Sequence, residues 1–140
     1  MNGFSRKVTR IIPMLLMMGI IFFLSSVPGE DLVLPDIVNI DKVAHMAIYG
    51  LLALSVFHAF GGARFSQTHP HLVPLLVILF CSVYGLSDEF HQSFVPNRSA
   101  DVFDVLADSI GAVIVCIIRI VITHLRKKRS SSCKETSSCL

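Results

Sequence analysis

Four long apolar runs divide this chain: Ile11–Val27, Val43–Phe60, Leu72–Ser87 and roughly Val102–Leu125. None shows the alternation of apolar and polar residues that marks an outer-membrane barrel strand, so all four read as helices. A bilayer core about 30 Å thick needs roughly 20 apolar helical residues. The first two runs meet that length, the third falls a little short, and the fourth meets it once Asp104 and Asp108 are accommodated. The pattern predicts an all-α, four-transmembrane-helix bundle, a polytopic integral membrane protein. Its helices are expected at about 11–27, 42–60, 72–89 and 101–125.

Turn chemistry punctuates the runs. Pro13 and Pro74 fall in the first turn of theirs, where a missing N–H costs nothing. Val27-Pro28-Gly29 closes the first helix and opens an acidic loop over 28–40. Gly61-Gly62 closes the second, and 63–71 loops back. Ser93–Ala100, with its Pro96-Asn97 turn, joins the last two. Residues 126–140 form a basic, Ser-rich tail expected to be disordered. No repeat or second domain is visible.

Composition agrees with the membrane class: 140 residues, mean hydropathy +0.68, 53% hydrophobic and only 16% charged. Charge then orients the bundle. The clusters Arg6/Lys7/Arg10 and Arg126–Arg129 flank the first and last runs, which places both termini and the 61–71 loop in the cytoplasm. Nine of the ten acids (Glu30, Asp31, Asp36, Asp41, Asp88, Glu89, Asp101, Asp104, Asp108) fall at the opposite end. Lys42 and Arg98 alone among the twelve Lys and Arg residues join them. Arg126–Arg129 reads as a juxtamembrane anchor on anionic lipid, and no nucleic-acid partner is expected. Ile11–Val27 also fits a secretory signal, although it exceeds the usual signal core. Cys81 and Cys116 lie in apolar runs and no CxxC occurs, which argues against a disulfide framework or zinc knuckle.

Helical spacing gathers the polar residues of the outer end. Asp41, His45 and Tyr49 follow i, i+4, i+8 on one stripe, with Lys42 beside it. Asp101, Asp104, Asp108 and Gly111 form a second stripe. Asp88, Glu89 and Gln92 end the third helix, and Arg98 follows in the loop. Bland roles exist: Asp41 and Asp101 suit N-caps, Asp104 a first-turn acid and Tyr49 an interfacial aromatic. His91 reads as solvated, and His58, His69, His71 and His124 lie at the inner end without a role.

Three features resist such readings. Asp88 and Glu89 stand at a helix carboxyl end, where the macrodipole repels them. Asp108 lies two turns into its helix, about 10 Å below Asp101 at 1.5 Å per residue. His45 is about one turn inside its own. A bare carboxylate at such depth costs several kcal/mol, on the order of a buried charge without a partner. The expected arrangement is one polar pocket holding Asp108, His45 and Asp88 or Glu89 together with Arg98. Its acids outnumber its cations, so a bare phosphate would be repelled without a bridging cation. His45 with carboxylates offers a mixed N/O set for a divalent cation, although no HxxxH or HExxH spacing supports one. No GxSxG elbow or glycine-rich phosphate loop is present, and no other cofactor is expected.

These residues resemble the VanZ-like family of small bacterial membrane proteins. The likeness is carried by Asp41-Lys42-x-x-His45-x-x-x-Tyr49-x-x-Leu52 and by Ser87-Asp88-Glu89-x-x-Gln92 followed by Arg98, Asp104, Asp108 and Gly111. Ser25-Ser26-Val27-Pro28 adds to it, and the match covers about residues 11–115. The family usually has Asn at the position of Asp108 and often Gly at that of Val115. The resemblance implies a bacterial cytoplasmic membrane protein of the cell envelope, with a role in resistance to the glycopeptide teicoplanin and no assigned chemistry.

Two functions follow as expectations. In the first, the cluster is non-catalytic and binds a membrane lipid or lipid-linked envelope precursor through its head group. Arg98, Asp104 and Asp108 then chiefly hold the last two helices in register. In the second, the protein is a membrane-embedded hydrolase or transferase acting on such a head group. Asp88 or Glu89 would be the general base, His45 the proton shuttle and Arg98 the electrostatic clamp. A proton- or ion-coupled transporter is disfavoured, because the acids occupy one membrane end only.

Overall fold

Each apolar run becomes a helix in the computed structural model, which describes residues 3–31, 39–60 and 68–137. Helix α1 spans Gly3–Ser25, α2 Ile40–Phe60, α3 Leu72–Gln92 and α4 Val102–Ser137. A single 3-10 turn, Gly29–Asp31, follows α1. The segments Val8–Ser25, Ile40–Phe60, Leu72–Gln92 and Val102–Arg129 are each long and apolar enough to cross a membrane. No strand occurs among the described residues. Every backbone polar group of a spanning segment must be satisfied internally, and helices meet that demand here.

Large apolar side chains cover the outside of all four helices, among them Leu16, Phe23, Leu75, Leu79, Leu106 and Ile117. In water such a surface would be a liability; against lipid tails it costs nothing. The interior is small and specific. Tyr49, Leu52 and Val56 of α2 pack with Val77 and Cys81 of α3 and with Ala112 and Cys116 of α4. Ile21 joins them from α1. The hydroxyl of Tyr84 donates to the Met18 carbonyl at 2.7 Å, tying α3 to α1. The Ser82 and Ser109 hydroxyls meet at 2.8 Å between α3 and α4.

The closest helix contact joins α2 and α4. At Gly111 the Met46 carbonyl occupies the place a Cβ would take, so the α4 backbone lies directly against that of α2. One turn on, bulk changes sides. Val115 packs toward Gly50, whose added Cβ would lie 3.5 Å from Val115 Cγ2. A glycine on the facing helix thus accommodates the valine.

Three local expectations need correction. Helix α1 begins at Gly3, so Pro13 is an interior residue rather than a first-turn one. Its ring has no N–H to donate to the preceding turn of the helix. Helix α4 does not end at Leu125, and the tail expected to be disordered continues it to Ser137. Arg126–Arg129 are good helix formers and carry the helix on beyond its apolar run. His91 lies in the last turn of α3 rather than in a solvated loop. Its ring stacks on Phe22 with centroids 4.7 Å apart and bonds Ser26 Oγ at 3.1 Å. The expectations for Asp36 and for Gly61-Gly62 lie outside the described residues.

Candidate functional site

The start of α2, the end of α3 and the start of α4 lie at the same end of the bundle, and they bring the polar stripes together. Lys42 sits at the centre of one group. Its Nζ donates to Asp101 Oδ2 at 2.8 Å, Asp104 Oδ1 at 2.9 Å and Asp41 Oδ2 at 3.3 Å. One ammonium has three donors, and here each meets a carboxylate from α2 or the α4 start. Asp101 also caps α4, its Oδ1 accepting the Phe103 N–H at 2.9 Å. The Lys42 ammonium and then this N–H hold the Asp101 carboxyl below the usual aspartate range.

A second group lies deeper. Asp108 is wholly buried, and its Oδ1 receives His45 Nδ1 at 3.0 Å. The rest of its carboxylate fills the space a Cβ would need at Gly85 of α3. Glycine is thus required at 85 so that an α4 acid can lie flat against α3. Tyr49 stacks nearly parallel to His45, at 10° and 6.4 Å between centroids, and tilts against Tyr84 at 6.3 Å. The seven-residue depth of Asp108 below Asp101, read from the helix rise, is real and is met by a histidine.

Asp88 and Glu89 belong to the same end but have different partners. Glu89 Oε2 accepts the backbone N–H of Asp101 at 2.8 Å, which fastens the end of α3 to the start of α4. This bond supplies a donor at the negative end of the α3 dipole. Gln92 donates to Asp88 Oδ2 at 3.3 Å and to Ser25 Oγ at 3.2 Å, so an amide links α3 to α1.

Arg98 is not among the acids, and the expectation of a pocket shared with it is corrected. Its Nη2 donates to the Leu24 carbonyl at 3.1 Å and its Nε to the Val27 carbonyl at 3.3 Å. These carbonyls end α1, where orphan acceptors and the negative dipole favour a guanidinium. Arg98 Nη1 reaches Gln92 Oε1 at 3.5 Å, a distance too long to carry weight. Arg98 therefore ties the α3–α4 connection to α1, and it forms no ion pair among the described residues. Alongside it, the Gly29 N–H donates to the Pro96 carbonyl at 3.2 Å, and Asn97, at φ 56°, bonds Glu30 at 3.2 Å.

Asp88, Glu89, Asp104 and Asp108 are 5%, 4%, 7% and 0% exposed. Among the described residues, His45 meets this quartet at Asp108 and Lys42 meets it at Asp104. Among the described residues, three buried polar atoms here have no hydrogen-bond partner: Tyr49 Oη, Glu89 Oε1 and Asp108 Oδ2. Leaving a buried polar group unmet costs about 1–3 kcal/mol, and more if it is charged. One donor atom each of His45, Glu89 and Asp104 lies within 4.8 Å of the other two. Imidazole and carboxylate together suit either proton transfer or cation binding. Sequence reasoning gave no role to Ser25, Gly85 or His91, which bind α1 and α3 to the site. A glycine opposite a buried acid leaves no signal in a single sequence.

A bundle of four spanning helices with a buried polar cluster at one end defines a class of small polytopic membrane protein. The VanZ/LLP1 family model matches residues 10–123, and the chain belongs to that family. An uncharacterized protein of the fission yeast Schizosaccharomyces pombe is 33% identical over 103 residues, 73% of this chain. The match covers 59% of that relative's length, so the chain spans about three fifths of it. No solved structure matches the chain.

Proposed function

We propose that this protein holds the head group of a membrane lipid or lipid-linked envelope precursor in the cluster formed by α2, α3 and α4. The observation that carries the reading is the set of unmet buried atoms, Tyr49 Oη, Glu89 Oε1 and Asp108 Oδ2, at one end of the spanning helices. Two are carboxylate oxygens, so the preferred head group presents hydroxyls or amines rather than bare phosphate. With basic flanks on the opposite side, the cluster faces the outer leaflet and both termini face the cytoplasm. A bacterial cytoplasmic membrane and a contribution to teicoplanin resistance are the parts of this reading that rest on the family alone. The fission-yeast relative supports a role that does not depend on a bacterial envelope.

Lipid mass spectrometry of the purified protein tests the reading. The unaltered protein is expected to retain one class of head group, and His45→Gln or Tyr49→Phe to lose it while staying folded. Retention of bulk lipid in unchanged proportions by all three proteins would end it.

The buried Asp108–His45 pair favours a second reading, a hydrolase or transferase on the same head group. Asp108 orients the imidazole and stabilises its charged form, so His45 would take a proton from an attacking hydroxyl and return it to the departing oxygen. Glu89→Gln and His45→Gln would then abolish turnover of the retained lipid while leaving its binding in place.

A further inference from the structure

We propose that His45, Glu89 and Asp104 form a binding site for one divalent transition-metal ion, with Asp108 orienting the histidine. Each side chain comes from a different helix, α2, α3 and α4, and their nearest donor atoms lie within 4.8 Å of one another. That separation suits donors arranged around a single ion at about 2.0–2.2 Å from each.

The hydrogen bonds around the three side chains are what distinguish this from a chance cluster of acids. Each side chain has one donor atom already engaged by a neighbour. His45 Nδ1 is bound to Asp108 at 3.0 Å, which leaves the lone pair on Nε2. Glu89 Oε2 takes the Asp101 N–H at 2.8 Å, while Oε1 is buried without a partner. Asp104 Oδ1 is held by Lys42 at 2.9 Å, which leaves Oδ2. Metal-binding histidines almost always give their other ring N–H to a carboxylate or carbonyl, which fixes the tautomer and raises ligand basicity. Asp108 supplies that carboxylate from full burial.

Charge points the same way. Glu89, Asp104 and Asp108 are buried together, Lys42 is shared with two further acids, and Arg98 is spent on the end of α1. A dication removes the excess negative charge that Lys42 leaves. An imidazole with two carboxylates favours manganese, iron or zinc over calcium, whose ligands are oxygens. Three protein ligands also leave a coordination position for water or a head-group oxygen, including a phosphate that the bare acids would repel.

The experiment uses the full chain in detergent, stripped with chelator and titrated with Mn2+ alone while free Mn2+ is followed by electron paramagnetic resonance. One ion per chain is expected. His45→Gln and Glu89→Gln should each weaken binding at least about tenfold, and Asp108→Asn by about 10–100-fold. Arg119→Gln, at the other end of the bundle, should change nothing. Should a cluster variant fail to fold, nitrogen modulation from a directly bound imidazole on the unaltered protein's Mn2+ spectrum decides the matter. A folded protein that binds no Mn2+, or bound Mn2+ without an imidazole nitrogen, overturns the proposal. Undiminished binding by His45→Gln does so too. The site stands apart from the head-group reading: metal binding without a retained head group keeps it, and a head group retained by folded protein that binds no Mn2+ removes it.

Discussion

The two ends of this bundle carry opposite charge, and they handle it by different physics. At the acidic end, four carboxylates are buried and several are fixed by named partners on other helices. At the basic end, Arg119, His71, His124 and Lys127 are exposed and line an open groove of about 470 Å3 with Phe57 and Pro74. The Arg119 guanidinium lies 4.8 Å over the Phe57 ring rather than against an acid. Long basic side chains lay their methylenes along apolar surface and carry the charge out to the interface. An aspartate has no such reach. A carboxylate on the inward face of a spanning helix must find its proton, donor or cation inside the protein, so its neighbours become specific. The basic end therefore carries its charge on exposed side chains, whereas the acidic end holds its charge through specific partners.

That contrast can be broken most severely at the acidic end. Gly111→Leu drives a side chain into the Met46 carbonyl and separates α2 from α4. The expected cost is about 3 kcal/mol or more, seen as loss of monodisperse protein on gel filtration. Normal accumulation and an unchanged thermal midpoint would show that the close backbone contact is dispensable. Gly85→Ala should behave similarly, because it displaces the Asp108 carboxylate.

A smaller effect is expected at Lys42. Lys42→Met strips the cation from Asp41, Asp101 and Asp104 and should lower the thermal midpoint by several degrees at neutral pH. Asp101 then gives the pH dependence. Its folded carboxyl titrates below the usual aspartate range because Lys42 and the Phe103 N–H favour the charged form. Its contribution is thus present above the ordinary aspartate value and is lost as pH falls through the lower, folded one. The midpoint difference between the unaltered protein and Asp101→Asn should be full at neutral pH and close on acidification below that range. A difference that grows in acid would reverse the assignment.

The smallest effect belongs to the basic end. Arg119→Gln removes one exposed cation–π contact, worth about 0.5–1 kcal/mol at most. Its thermal midpoint should move little. A loss as large as that at Lys42 would erase the distinction between the two ends.

How far the site could be read from sequence varied with the kind of residue. Asp101, Asp104, Asp108 and Gly111 announced one stripe because helical period is local, and all four do turn toward α2 or α3. Glu89 announced itself by standing at the wrong end of a dipole. Arg98 misled, because one of two cations among many acids suggests pairing with them, while the end of α1 offered carbonyl acceptors. The continuation of α4 past Leu125 was missed because the serine-rich composition outweighed the helix-forming Arg126–Arg129.

Hydropathy and the 3.6-residue period by themselves determined that this protein has four spanning helices, that its acids gather at one end, and which face of α2 and α4 carries them. Those properties depend only on residues near one another along the chain. Tertiary structure alone decided that Lys42 pairs with Asp41, Asp101 and Asp104, that His45 meets Asp108, and that Gly85 makes room for it. Such pairings depend on how each helix is rotated and how far its neighbours approach, and packing between distant segments sets both.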